Sequence, residues 1–196
     1  MALQTKLTRA DILPMAEFEA LRKQRRSEIV AMKKNRRVAL GPYATFYFEN
    51  YTTMWWQVHE MLRIEKGGEE QIADEIAAYA PLIPQGRELV CTFMIEIDEP
   101  VRRQRMLSQL GGIDEQLYLE IAGEKIFSVP EQDAERTRED GKTSSVHFLR
   151  FPLNDKAVAA FKQAGARILL GCAHENYGHL AVLAETTRAV LAEDLA

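Results

Sequence analysis

Only two cysteines occur in the 196 residues, Cys91 and Cys172, and they stand too far apart for a C-x-x-C pair. A disulfide framework and the usual structural zinc spacings are therefore excluded, and both residues read as free thiols, which fits a reducing compartment. Long apolar runs are also missing. Ile168 to Leu170 and the stretch around Cys91 fall far short of the roughly 20 residues that a membrane span needs. The first residues, MALQTKLTRADILP, have no apolar segment behind their basic residues and no small-residue cleavage site, so a cytoplasmic address is expected. The chain also lacks a G-x-S-x-G elbow, a P-loop and a G-x-G-x-x-G turn, which removes the most recognisable hydrolase and nucleotide-binding chemistries. Abundant carboxylates single out no acid/base pair.

What is present is the composition of an ordinary globular protein, 46% hydrophobic and 28% charged, with one domain over residues 1–196 as the expectation. The net charge of −4 is unevenly spread. Arg22, Lys23, Arg25, Arg26, Lys33, Lys34, Arg36 and Arg37 face the single acid Glu28 in that stretch, a run that could draw an acidic partner or nucleic acid. No stacking platform or nucleic-acid fold accompanies it, so a solvated helix face is the plainer reading and nucleic-acid binding ranks third among the functions considered.

The hydrophobic pattern lays out an α+β fold with a mainly antiparallel sheet, packed helices and an N-terminal amphipathic helix. That helix opens near Pro14 and runs to about Lys34, with Phe18, Leu21, Ile29 and Met32 in one narrow stripe, making residues 1–35 a helical arm. Val38 to Leu40 and Phe46 to Phe48 flank the Gly41-Pro42 turn as a hairpin. Helices follow over about Thr52 to Glu65 and Glu69 to Tyr79. Glu88 to Ile97 alternates as a half-buried strand that places Cys91 in the core. Next come a helix over Glu99 to Leu110, a strand over Gln116 to Ala122, and a polar stretch over residues 130–145 expected as a mobile loop. Val146 to Phe151 is a strand carrying His147, Asn154 caps a helix to about Ala164, strands cover Arg167 to Glu175 and His179 to Leu183, and a helix from Glu185 to Asp194 closes the chain.

Two places concentrate chemistry. On the helix from Thr52 to Glu65 the positions Met54, Trp55, Val58, Met61 and Leu62 form the core stripe, which leaves Trp56, His59, Glu60 and Arg63 on the other side. A tryptophan left in water marks a contact surface, either an interface or a small-molecule pocket, and a homodimer is the first expectation. The plain structural reading comes before a pocket: this face packs under another helix or across that homodimer, with Glu60 paired to Arg63. The second place is GCAHENYGHLAV, Gly171 to Val182. A two-residue turn at Asn176-Tyr177 would set His174 opposite His179, Cβ atoms about 5 Å apart, with Cys172 on the same face. Such a set would suit zinc or iron. A one-residue slip in the turn would point the histidines to opposite faces, so packing competes with ligation.

Several segments together, LTRADILP, RRVALGP, FEN before the QVHEMLRIE helix, LGGIDEQLYLEI, SSVHFLRF and HENY, resemble the bacterial domain-of-unknown-function family number 3501 over nearly the whole length. The resemblance implies a gene setting beside a rubrerythrin-like di-iron protein and a cysteine-rich iron–sulfur protein. It therefore implies an accessory role near iron or peroxide chemistry, and it carries no catalytic residues. The function expected first is a non-enzymatic accessory or binding protein. A metal-dependent or redox enzyme using Cys172, His174 and His179 is the alternative.

Overall fold

The computed structural model describes residues 3–131 and 142–196. Two antiparallel sheets face each other across the main core. The first has the order β1 (Arg37–Leu40), β2 (Ala44–Phe48), β3 (Glu88–Ile95), β7 (Val146–Pro152) and β6 (Val129–Pro130); the second runs β5 (Glu124–Phe127), β4 (Leu117–Ile121), β8 (Ile168–Cys172) and β9 (His179–Val182). The expected antiparallel pairing is thus divided between two sheets. Register explains the core. Phe46 sits beside Phe93 and Phe93 beside His147, while Phe48, Cys91 and Leu149 form the next row. Leu117, Leu119, Ile121, Ile168 and Leu170 answer from the second sheet, and all are buried. Strand alternation aims every second side chain inward, so these rows interlock as one apolar layer.

Among the described residues, six α-helices close the fold. α5 (Asp155–Lys162) is capped by Asn154, whose side chain accepts from Ala157 N at 2.8 Å, as its sequence position predicts. With α6 (Glu185–Ala192) it packs at the side of the sandwich. α4 (Pro100–Leu107) is shorter than the Glu99 to Leu110 expected; Glu99 caps its first turn by accepting from Val101 N and Arg102 N. The outer face of the first sheet, through Val90 and Phe148, carries α2 (Tyr51–Glu65) and α3 (Gly68–Tyr79) in a second apolar cluster with Met54, Val58 and Leu62. α1 (Met15–Lys34) lies on α2 as an outermost layer.

Residues 132–141, the heart of the stretch expected as a mobile loop, lie outside the described residues. Its start is ordered differently from that expectation, because Val129 and Pro130 pair with Arg150 and Leu149. The strand pair β5 and β6 therefore passes from one sheet to the other through Ser128. The Ser128 hydroxyl donates to the Asp114 carbonyl at 2.5 Å and its N–H to Leu117 O at 2.8 Å, fastening that corner.

Candidate functional site

On the α2 face opposite the core stripe, Trp56 and His59 are buried and Glu60 and Arg63 partly so. Trp56 retains 8% of its exposure and His59 none, because α1 lies across them. Phe18 of α1 is the wedge, with ring centroids 5.5 Å from Trp56 and 4.8 Å from His59. Both imidazole nitrogens are spent locally: Nδ1–H donates to Trp55 O at 2.7 Å, and Nε2 accepts from Leu13 N at 3.0 Å. Only the neutral ring can do both, and burial pushes its pKa down. Glu60 and Arg63 do not pair with each other. Glu60 takes a two-pronged bond from Arg22 at 2.7 and 2.9 Å, and Arg63 reaches Glu19 at 2.7 Å. The Arg22 guanidinium, ahead of the opposing cost of burial, holds the Glu60 carboxyl below its ordinary value. Amphipathicity alone does not name α1 as the cover, since α1 supplies only two buried side chains, Phe18 and Ile29.

The basic run is partly neutralised as well. Arg22 pairs with Glu60, Arg25 with Glu28 at 3.0 Å, and Arg36 is buried against Asp194.

The expected two-residue turn at Asn176-Tyr177 is replaced by a longer connection, and the register pairs Cys172 with His179. The reason lies in what the HENY side chains grasp. His174 Nε2 approaches Gly111 O at 3.1 Å, and Asn176 donates to Gln109 O at 3.0 Å. The Tyr177 hydroxyl donates to Leu40 O at 2.7 Å and accepts from Tyr43 N and Ala44 N, both at 3.0 Å. HENY therefore ties the turn after α4 and the β1–β2 turn to the second sheet. The His179 ring packs tilted on Tyr177, centroids 4.3 Å apart, against Gly41, whose φ of +64° and missing Cβ make room for the ring. Cys172 stays beside His179 while His174 is drawn elsewhere, and among the described residues no group of three His, Cys, Asp or Glu side chains is placed to hold a metal ion. Burial pushes the thiols of Cys91 and Cys172 above their ordinary values, so neither is an activated nucleophile.

A buried cluster that spacing did not indicate surrounds His147. Its Nε2 lies 2.9 Å from Ser144 O and 3.2 Å from Thr143 Oγ1, and its Nδ1 stands 3.5 Å from Asp114 Oδ2. A carbonyl only accepts, so Nε2 carries a hydrogen, and His147 reads as a strut joining β7 to the turn before β4. The SSVHF and LGGID segments are the sequence signal, since they supply His147 and Asp114.

Among the described residues, no helix packs on the outer face of the second sheet. Phe127, Tyr118, Gly171 and Leu180 form one row across its four strands, and Lys125, Glu120, Leu169 and Val182 form the next. Phe127, Leu180 and Val182 remain 45%, 55% and 56% exposed. The Tyr118 ring lies over Gly171, where a Cβ would stand 2.3 Å from its Cζ, and Lys125 Nζ sits 4.4 Å from its centroid. This face presents aromatic and aliphatic groups with one charge of each sign. No described helix is long and apolar enough to cross a membrane.

No curated protein matches the chain. A solved structure is similar over almost its whole length: the crystal structure of a novel protein of unknown function from Burkholderia pseudomallei K96243 at 1.90 Å resolution, with 38% identity, 98% of this chain and 100% of that chain covered, and a TM-score of 0.90. The family profile described as protein of unknown function, DUF3501, spans residues 6–195, which include the Arg36, HENY and His147 segments whose contacts are described above, and the chain belongs to that family.

Proposed function

We propose that this protein is a non-enzymatic binding protein that works by docking, through the open face of its second sheet, first onto a second copy of itself. The observation that carries the reading is the exposure of Phe127 and Leu180 in one row and Val182 in the next, beside the buried Tyr118 ring. Aromatic and aliphatic groups left together on a sheet face favour association, because covering them removes apolar surface from water. The second copy fits by sign. Glu120 and Lys125 face each other across β4 and β5, so a two-fold apposition can set each acid near its mate's ammonium and avoids like-charge repulsion. A role beside an iron or peroxide system, with a rubrerythrin-like or iron–sulfur partner, rests on the family resemblance.

The experiment is light scattering of the purified full chain beside the Leu180→Asp/Val182→Asp variant. The mass of two chains for the wild type and of one chain for the variant, at an unchanged melting temperature, is the expected result. A wild type that is monomeric at high micromolar concentration, or a variant that stays dimeric, sinks the reading.

A further inference from the structure

The basic arm has no part in that docking surface, yet it borders a groove. Between α1 and α2 lies a cavity of about 380 Å³ whose floor is Ile29, Met32, Tyr51 and Trp55, with Arg25 and Glu28 at its rim. The aromatic polar tips are turned away: Trp55 Nε1 donates to Asp11 O at 2.8 Å, and the Tyr51 hydroxyl faces the Asp11 carboxylate. Ring surface, a thioether and a branched aliphatic side chain are what remain to line the groove, which is the surface a flat aromatic ring covers best.

The flank sets the sign of the ligand. With Arg22 paired to Glu60, the remaining Lys23, Arg25, Arg26, Lys33 and Lys34 stand against Glu28 alone along this part of α1, in a chain whose net charge is −4. An anion is drawn to this side of the molecule and not to the acidic remainder. The Arg25–Glu28 pair at the rim is half exposed on both sides, 52% and 47%, so the guanidinium can exchange Glu28 for another carboxylate, sulfonate or phosphate without desolvating a buried charge. α1 is fastened to α2 by few buried side chains, which lets the groove widen around a ligand.

We propose that the groove between α1 and α2 binds a small flat aromatic anion, its ring against Trp55, Met32 and Ile29 and its charged group at Arg25. Anilinonaphthalene sulfonate has this chemistry and reports binding by energy transfer from tryptophan. Titration of the full chain is expected to saturate at one site, with a dissociation constant of about 10 μM. Thr52→Phe enlarges an exposed side chain that lines the groove and is expected to weaken binding about tenfold at an unchanged melting temperature. Arg25→Ala, also at an exposed position, is expected to weaken it about fivefold, a second reading that does not depend on the first variant folding. Leu180→Asp leaves it unchanged, and adenosine monophosphate competes. The proposal is overturned by probe binding that does not saturate, that survives both groove variants, or that is lost on Leu180→Asp. Displacement by single-stranded oligothymidylate but not by adenosine monophosphate overturns it in favour of nucleic acid.

Discussion

The guanidinium of Arg36 and the carboxylate of Asp194 form a buried ion pair that joins the start of β1 to the last turn of the chain, 2% and 5% of the two side chains remaining exposed. Arg36 also donates to Phe48 O and Glu49 O, both at 3.0 Å, so its charge is surrounded by acceptors. Burial pushes the Asp194 carboxyl up and Arg36 pulls it back.

Removing one partner leaves an uncompensated charge in the interior. Arg36→Met or Asp194→Leu alone is expected to cost ~3–5 kcal/mol in denaturant unfolding. The double variant should be less damaging than the sum of the two, because no buried charge is left without a partner. Additive losses would mean that the two side chains act independently.

His59 is expected to make stability depend on pH. Its folded pKa lies below the ordinary imidazole value because burial disfavours the cation, so on acidification the unfolded chain takes the proton first. This contribution is complete above the unfolded value of about 6.5 and is lost as pH falls through it toward the folded value, below which the loss levels off. Urea midpoints measured between neutral pH and about pH 5 should fall for the wild type and fall less for His59→Gln. Equal slopes for the two proteins would refute this assignment.

Tyr177→Phe removes one donor and leaves the Tyr43 and Ala44 N–H groups without their shared acceptor. A loss of ~1–3 kcal/mol is expected by thermal or urea unfolding. Gly41→Ala places a Cβ 2.4 Å from the His179 ring at a φ of +64° and should destabilise the same turn. Calorimetry on both variants checks this, and a neutral Tyr177→Phe would mean that water replaces the hydroxyl.

The two thiols should be silent in the native protein. Cys91 is fully buried, with its thiol pushed well up by burial and then by Glu49, and Cys172 is 3% exposed. A disulfide reagent at mildly alkaline pH should label neither while the chain is folded and both in denaturant. Rapid labelling of Cys172 in the native protein would show that β8 opens at its end.

The element order was readable from the sequence because local signals agreed with the fold. The Gly41-Pro42 turn, the alternation of Glu88 to Ile97, of which β3 keeps Glu88–Ile95, and the Asn154 cap each fix structure within a few residues. What was not readable depended on partners far along the chain. Which element covers Trp56, another helix or a second copy, is not legible in an α1 with only two buried side chains. The placing of His174 depended on a two-residue turn, and the choice was made elsewhere, by Gly111 O and Gln109 O accepting His174 and Asn176. Asp114 and His147 meet only through tertiary structure, so no spacing rule joins them.

The thin attachment of α1 makes it a unit that can come loose while the rest of the molecule stays folded. Phe18 and Ile29 are its two buried side chains, separated by three turns of helix whose residues from Lys23 to Glu28 all face solvent. Detachment would uncover Trp56, His59 and the floor of the groove at once, while leaving the interior between the two sheets dry. Amide hydrogens of α1 should therefore exchange by local opening, ahead of those of β3 and β7. A ligand in the groove would slow the exchange of that helix before it changed the exchange of any strand.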